Sequence, residues 1–157
     1  MKKVLVTGAN GFLGSNLVSE FNSKGYDVRV IVRKGADMKS LADMPCEIVF
    51  GNIDNKEDIT RAIDGCDYVV HAACITDQWA ISFDEYERVN FTATKYIADA
   101  CLQLGVKRLI YVSTANTMGP GSKLIPGNEM SGFTLFSANS GYINSKYLAQ
   151  QYVLEQV

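Results

Sequence analysis

Histidine, tryptophan and proline are scarce in this sequence, with one His, one Trp and three Pro among 157 residues. The lone histidine, His71, and four cysteines without any C-x-x-C spacing leave no ligand set for zinc and no disulfide framework. Four reduced, mostly buried thiols fit a cytoplasmic chain. Charge of one sign is also missing: 15 Lys and Arg stand against 17 Asp and Glu, a net charge of −2. With no basic block, nucleic acid or another polyanion is not an expected partner. No apolar run approaches the length of a membrane span, and the N-terminus passes straight into a strand. Neither membrane nor export is expected.

What is present begins in the first fifteen residues. A short apolar run, Val4, Leu5 and Val6, ends at Thr7, and Gly8, Gly11 and Gly14 follow at three-residue spacing. A helix-period pattern then starts, with Leu13, Leu17, Val18 and Phe21 on one side. Strand, glycine turn and helix is the layout that brings free N–H groups and the positive end of a helix dipole to a pyrophosphate. The expected cofactor contacts in the turn are Gly8, Asn10, Gly11, Phe12, Leu13 and Gly14.

The rest of the chain alternates strands and helices. Strands are expected at 26–32, 47–50, 68–73 and 107–113, and helices at 54–63, 84–104 and from about 140 onward. The segment 33–45 reads as a loop with a short helix, and 115–138 as a long functional loop. At 157 residues there is enough chain for one domain with a real core. The fold class is α/β, a Rossmann doubly wound parallel sheet with ligands at the carboxyl ends of its strands.

The end of the second strand bears on the cofactor. An NAD site usually has an acidic residue about twenty positions past the glycines, holding the ribose 2′-OH. Arg33 stands there instead, followed by Lys34. A guanidinium can grip a 2′-phosphate through two charge-assisted bonds. NADP is therefore favoured, with NAD the alternative.

Tyr142-x-x-x-Lys146 places two side chains one turn apart on a helix face. A lysine cation nearby favours phenolate over phenol. The tyrosine can then exchange a proton with a substrate oxygen while hydride moves at the nicotinamide. Lys146 would also bond the nicotinamide ribose. A hydroxyl at the end of the fifth strand, Ser113 or Thr114, would orient the substrate oxygen, and Ser113 is also expected at the cofactor.

Together these motifs resemble the N-terminal, cofactor-binding part of the extended short-chain dehydrogenases/reductases, which include NAD-dependent epimerases/dehydratases and dihydroflavonol-reductase-like enzymes. Further matching stretches are Asp67 to Ala73, Val89-Asn90 and Tyr111 to Thr114 with Gly119. The resemblance implies that Thr114, counted back from Gly119, is the catalytic hydroxyl and that Asn90 supports the active lysine. It implies that His71, Ala72 and Ala73 form the strand end against the cofactor, Ala72 and Ala73 being small and His71 itself reading as a satisfied core histidine. Where the family commonly has Asp to bond the adenine amino group, this chain has Asn52, followed by Ile53. Asn52 can accept from that amino group and donate to a ring nitrogen, and Asp54 is the alternative. Arg33 leans towards the NADP-using, dihydroflavonol-reductase-like branch.

Family members usually continue for a hundred residues or more past the Tyr-Lys helix. The chain is accordingly expected to be truncated before the last strands, with residues 1–157 forming the NAD(P)-binding domain and no substrate domain. Little turnover is expected of the chain alone. The intact protein would reduce a small-molecule carbonyl. Two alternatives stay open: an NAD-dependent nucleotide-sugar epimerase/dehydratase, and a non-catalytic dinucleotide-binding or sensing module. The last helix carries one stripe expected to face the sheet and cofactor (Tyr142, Lys146, Ala149, Val153). A second (Ile143, Tyr147, Gln150, Leu154) is a candidate homodimer surface together with the 84–104 helix.

Overall fold

The computed structural model describes residues 1–77 and 79–156. Five strands form one sheet: β1 (Lys3–Thr7), β2 (Asp27–Val32), β3 (Glu47–Phe50), β4 (Tyr68–His71) and β5 (Arg108–Tyr111). All are parallel and lie in the order β3-β2-β1-β4-β5. The chain therefore grows outward from β1 in both directions, and the crevice at the switch point lies between β1 and β4.

Five α-helical segments accompany the strands: α1 (Phe12–Ser23), α2 (Lys56–Ile63), α3 (Phe83–Tyr86), α4 (Ala93–Gln103) and α5 (Gly141–Glu155). The period-two alternation of each strand sends side chains to two cores. Val4, Val6, Val28, Val30 and Val70 meet Val18 of α1 on one face. Leu5, Ile31 and Val69 meet Ile59 and Ile63 of α2 and Ile97 of α4 on the other. A parallel sheet covered on both sides needs such nearly continuous Val/Ile/Leu strands.

Several expected boundaries shift for identifiable reasons. Helix α2 starts at Lys56 because Asn55 caps it, its side chain accepting the Asp58 N–H at 2.9 Å. Strand β4 stops at His71, short of Ala73, whose N–H turns to the Thr7 hydroxyl at 3.1 Å. The expected 84–104 helix is a composite: α3 runs into a π-helical turn over Glu87–Thr92 before α4 continues. The loops at 33–45 and 115–138 contain short 3-10 turns at Lys39–Leu41, Ala115–Thr117 and Leu135–Ala138. Of the four free thiols, Cys66 and Cys101 are buried, whereas Cys46 and Cys74 are half-buried. Among the described residues no helix is long and apolar enough to cross a membrane, and no group of metal-ligating side chains gathers.

Candidate functional site

The β1–α1 turn forms the floor of the site. Gly8 has a φ of +68°, and a Cβ there would meet the Ala73 Cα at 2.8 Å, so β1 and β4 come together closely at their ends. A Cβ on Gly14 would run into the Gly8 carbonyl, which is why helix α1 can leave the turn so tightly. Gly11 differs. Only the Gly8 carbonyl lies within 4 Å of its missing Cβ, at 3.3 Å, so the space there is not taken up by the protein's own packing. Gly11 is also the N-cap of α1, and no side chain caps that helix or places a carboxylate in its first turn. Open amides at a helix start, with no acidic competitor, fit a pyrophosphate.

Around this floor lies a cleft of about 720 Å³. The structure brings into it Gly8, Asn10, Gly11, Phe12, Leu13 and Gly14 from the turn and Arg33 from the end of β2. Asn52 and Ile53 enter from the end of β3, and Ala72 and Ala73 from the end of β4. Arg33 is exposed on the cleft wall, and Lys34 is exposed but outside the lining. The sequence did not point to Cys74, Ile75, Thr76 or Arg88, which also line the cleft, as does Val89 of the matching Val89-Asn90 stretch. The first three simply continue the chain after β4, a position legible in retrospect. Arg88 carries no local signal, because its place depends on how the π turn is wound.

His71 is fully buried and lies beneath the cleft, within a directed chain of hydrogen bonds. The Ala73 N–H donates to Thr7 Oγ1 at 3.1 Å, and Thr7 Oγ1 lies 2.8 Å from His71 Nδ1. His71 Nε2 lies 3.0 Å from Thr94 Oγ1, which donates to the Asn90 carbonyl at 2.7 Å. Because the Thr94 proton is committed to Asn90, the Nε2–H must donate to Thr94, and Nδ1 accepts from Thr7. Burial pushes the imidazole pKa down to about 3, with the Lys146 cation adding to the shift. His71 is thus a neutral structural connector.

Asn90 sits in the π turn. Its Oδ1 accepts the Ile75 N–H at 2.7 Å, and its Nδ2 donates to the Ile75 carbonyl at 3.1 Å and to Ser145 Oγ at 3.2 Å. It therefore ties the strand-end loop to the residue beside Lys146. Lys146 is only 2% exposed. Its Nζ donates to the Val112 carbonyl at 2.6 Å and lies 4.2 Å from the centre of the Tyr111 ring. Burial lowers its pKa. Tyr142 is half-buried on the same helix.

Ser113 and Thr114 line a second cleft of about 900 Å³, against α5. The Ser113 hydroxyl donates to Gln150 Oε1 at 2.5 Å, so the structure places it towards α5 and not in the dinucleotide cleft. Thr114 caps the following 3-10 turn, its Oγ1 accepting the Asn116 N–H at 3.3 Å. Neither Tyr142 nor Lys146 lines the dinucleotide cleft. On α5 the buried residues are Ser145, Lys146 and Ala149. The second stripe is partly covered within the chain: Tyr147 stacks on Phe133 with ring centres 3.9 Å apart, and Gln150 accepts the Ser113 and Thr117 hydroxyls.

A five-stranded parallel sheet with a glycine turn at its switch point defines a Rossmann-type dinucleotide fold. The chain belongs to the NAD dependent epimerase/dehydratase family, whose model matches residues 4–156. It is 33% identical over 160 residues to a 3-beta-hydroxysteroid dehydrogenase of Mycolicibacterium neoaurum, covering 98% of this chain and 43% of that protein. It is 29% identical over 149 residues to a dihydroflavonol 4-reductase-like protein of Synechocystis sp., covering 95% and 43%. The crystal structure of the Bordetella bronchiseptica enzyme WbmG in complex with NAD superimposes with a TM-score of 0.82 at 26% identity, covering 98% of this chain and 49% of that one. The chain spans about half the length of the relatives it matches.

Proposed function

We propose that this chain is the dinucleotide-binding part of an NADP-dependent oxidoreductase that reduces a small-molecule carbonyl. The observation that carries the cofactor choice is Arg33, exposed on the cleft wall at the end of β2. No aspartate or glutamate occupies that strand end. The turn amides at the start of α1 would hold the pyrophosphate, and Arg33 would grip a ribose 2′-phosphate. Bound nicotinamide supplies hydride exchange. The chain's own residues do the rest: Thr114 orients the substrate oxygen, Tyr142 moves a proton to or from it, and Lys146 favours the phenolate. Asn90 is a positioning residue, tying the Ile75 backbone to Ser145, the residue beside Lys146.

Orientation by substrate-holding residues accounts for a large part of an enzymatic rate. With a span of about half its relatives, the chain alone is expected to bind dinucleotide with little turnover. Titration with NADPH and NADH at low salt, followed by fluorescence of the reduced nicotinamide, tests the reading. NADPH should bind about tenfold or more tightly than NADH, and Arg33→Glu should reverse the order. A preference for NADH in the parent chain would instead support an NAD-dependent epimerase or dehydratase, the reading favoured by WbmG, which was solved with NAD.

A further inference from the structure

Lys146 is a cation taken almost wholly out of water, at 2% exposure. Among the described residues its ammonium donates only to the Val112 carbonyl, at 2.6 Å. Burial lowers its pKa, and the group that opposes the shift is the Cys74 sulfur, not a carboxylate. A buried ammonium without a counter-ion needs other compensation. One carbonyl supplies part of it. The Tyr111 ring supplies the rest, its centre 4.2 Å from Nζ. At that separation the negative face of an aromatic ring attracts a desolvated cation.

The ring is itself held in place. Tyr111 ends β5 opposite His71 of β4, and the two rings lie 5.6 Å apart, tilted by 35°. His71 is fixed by Thr7 and Thr94 and is neutral, so it sets no second cation beside Lys146. The Tyr111 hydroxyl, by contrast, is buried and has no hydrogen-bond partner among the described residues. Thr94, which faces it, is already committed to Asn90 and His71. Burial pushes this phenol up, so it stays protonated while a lysine titrates. Such a tyrosine contributes through its ring.

We propose that Tyr111 is a positioning residue: its ring face, and not its hydroxyl, seats the buried Lys146 ammonium one helical turn from Tyr142. The bearing of this seat on the reaction rests on the roles given to Lys146 and Tyr142 above. A carboxylate in the ring's place would neutralise the cation that favours the Tyr142 phenolate. A π face holds the ammonium and leaves its charge in force. The titratable groups around that ammonium are His71 on β4, Cys74 in the segment after it, Tyr111 on β5 and Tyr142 on α5 itself.

The test follows isotope-labelled lysine by NMR in the full chain without ligand, the Lys146 signal being identified by its loss in Lys146→Arg. In the parent, the protons beside Nζ should resonate upfield, as above a ring face, and the signal should titrate below the ordinary lysine value of 10.5. Tyr111→Phe should keep both properties. Tyr111→Leu should lose the upfield position, and protonation of Lys146 should weaken about tenfold. Perfluorinated phenylalanine at position 111 keeps the ring's shape and removes its negative face. It should move the titration as Leu does, and decides the matter if Tyr111→Leu fails to fold. A titration that stays with the parent's in the Leu or fluorinated chain, whatever happens to stability, would overturn the inference. So would one displaced as far in Tyr111→Phe as in Tyr111→Leu. NADPH is then added to the parent: failure to bind would overturn the dinucleotide reading, while the seat stays decided by the lysine titration of the free chain.

Discussion

His71 shows how one residue can be conspicuous in a sequence and chemically silent in the protein. It is the single histidine, yet both ring nitrogens are committed inside the structure, to Thr7 and Thr94. Its pKa of about 3 in the folded state lies far below the ordinary 6.5, so the unfolded chain binds the extra proton at intermediate pH. Stability from this group is complete above 6.5 and is lost as pH falls towards 3, with a slope approaching about 1.4 kcal/mol per pH unit. Glu47 and Asp58, whose carboxyls are held down by ion pairs and by a backbone N–H respectively, lose their contributions only below their ordinary values of 4.5 and 3.8. Urea unfolding between about pH 6.5 and 5 therefore isolates the histidine. The parent should lose stability across that window and a His71→Asn variant should lose much less; a flat parent profile would refute a buried neutral ring. The sequence indicated that His71 belonged to the core. It could not reveal the direction of the hydrogen bonds, because Thr7 and Thr94 are 64 and 23 residues away.

At the scale of the element, the glycine turn was legible, because the strand, the three-residue glycine spacing and the helix pattern all lie within the first 23 residues. Two of the glycines make different predictions. Gly14→Ala sets a methyl against the Gly8 carbonyl, so α1 must move off the sheet. That variant should lose dinucleotide binding and unfold at a markedly lower temperature, by several kcal/mol in stability. Gly11→Ala meets only that same carbonyl at 3.3 Å, a neighbour that must yield by a few tenths of an ångström. It should fold nearly as the parent does by circular dichroism, yet bind the dinucleotide about tenfold or more weakly, because the methyl narrows the route to the pyrophosphate. Equal losses of fold and binding in both variants would contradict this division. By contrast, the π turn was not legible. Tyr86, Val89, Ala93 and Ile97 repeat at helical spacing whether or not one turn is widened. Only the long-range bonds of Asn90 to Ile75 and Ser145 reveal it as a positioned feature.

For the molecule as a whole, a doubly wound parallel sheet was implied by alternation and is what the strands form, whereas the partner of each late side chain depended on packing. Ser113 was expected at the cofactor and is drawn to α5 by Gln150, a contact between residues 37 positions apart. The sheet also has two edges among the described residues, β3 and β5. On β5, Ile110 is 49% exposed, and the outer side of the strand has no neighbouring strand. Such an edge is a template for pairing between copies. The parent chain should therefore show concentration-dependent association in light scattering, and Ile110→Lys should reduce it while leaving dinucleotide binding unchanged. Association of both chains to the same degree would place the contact elsewhere.

The π turn over Glu87–Thr92 has one more consequence, which concerns chain length. A π turn accommodates one residue more than an α turn in the same rise, so this segment is equivalent to a single-residue insertion retained inside a helix. Deleting one residue there would let ordinary winding resume with both flanks in register, but the residues of the widened turn itself, Arg88 and Asn90 among them, would be re-aimed. Arg88 would leave Asp54, and the cleft wall would lose its seam. In this region the protein should accept substitutions far more readily than any change in the number of its residues.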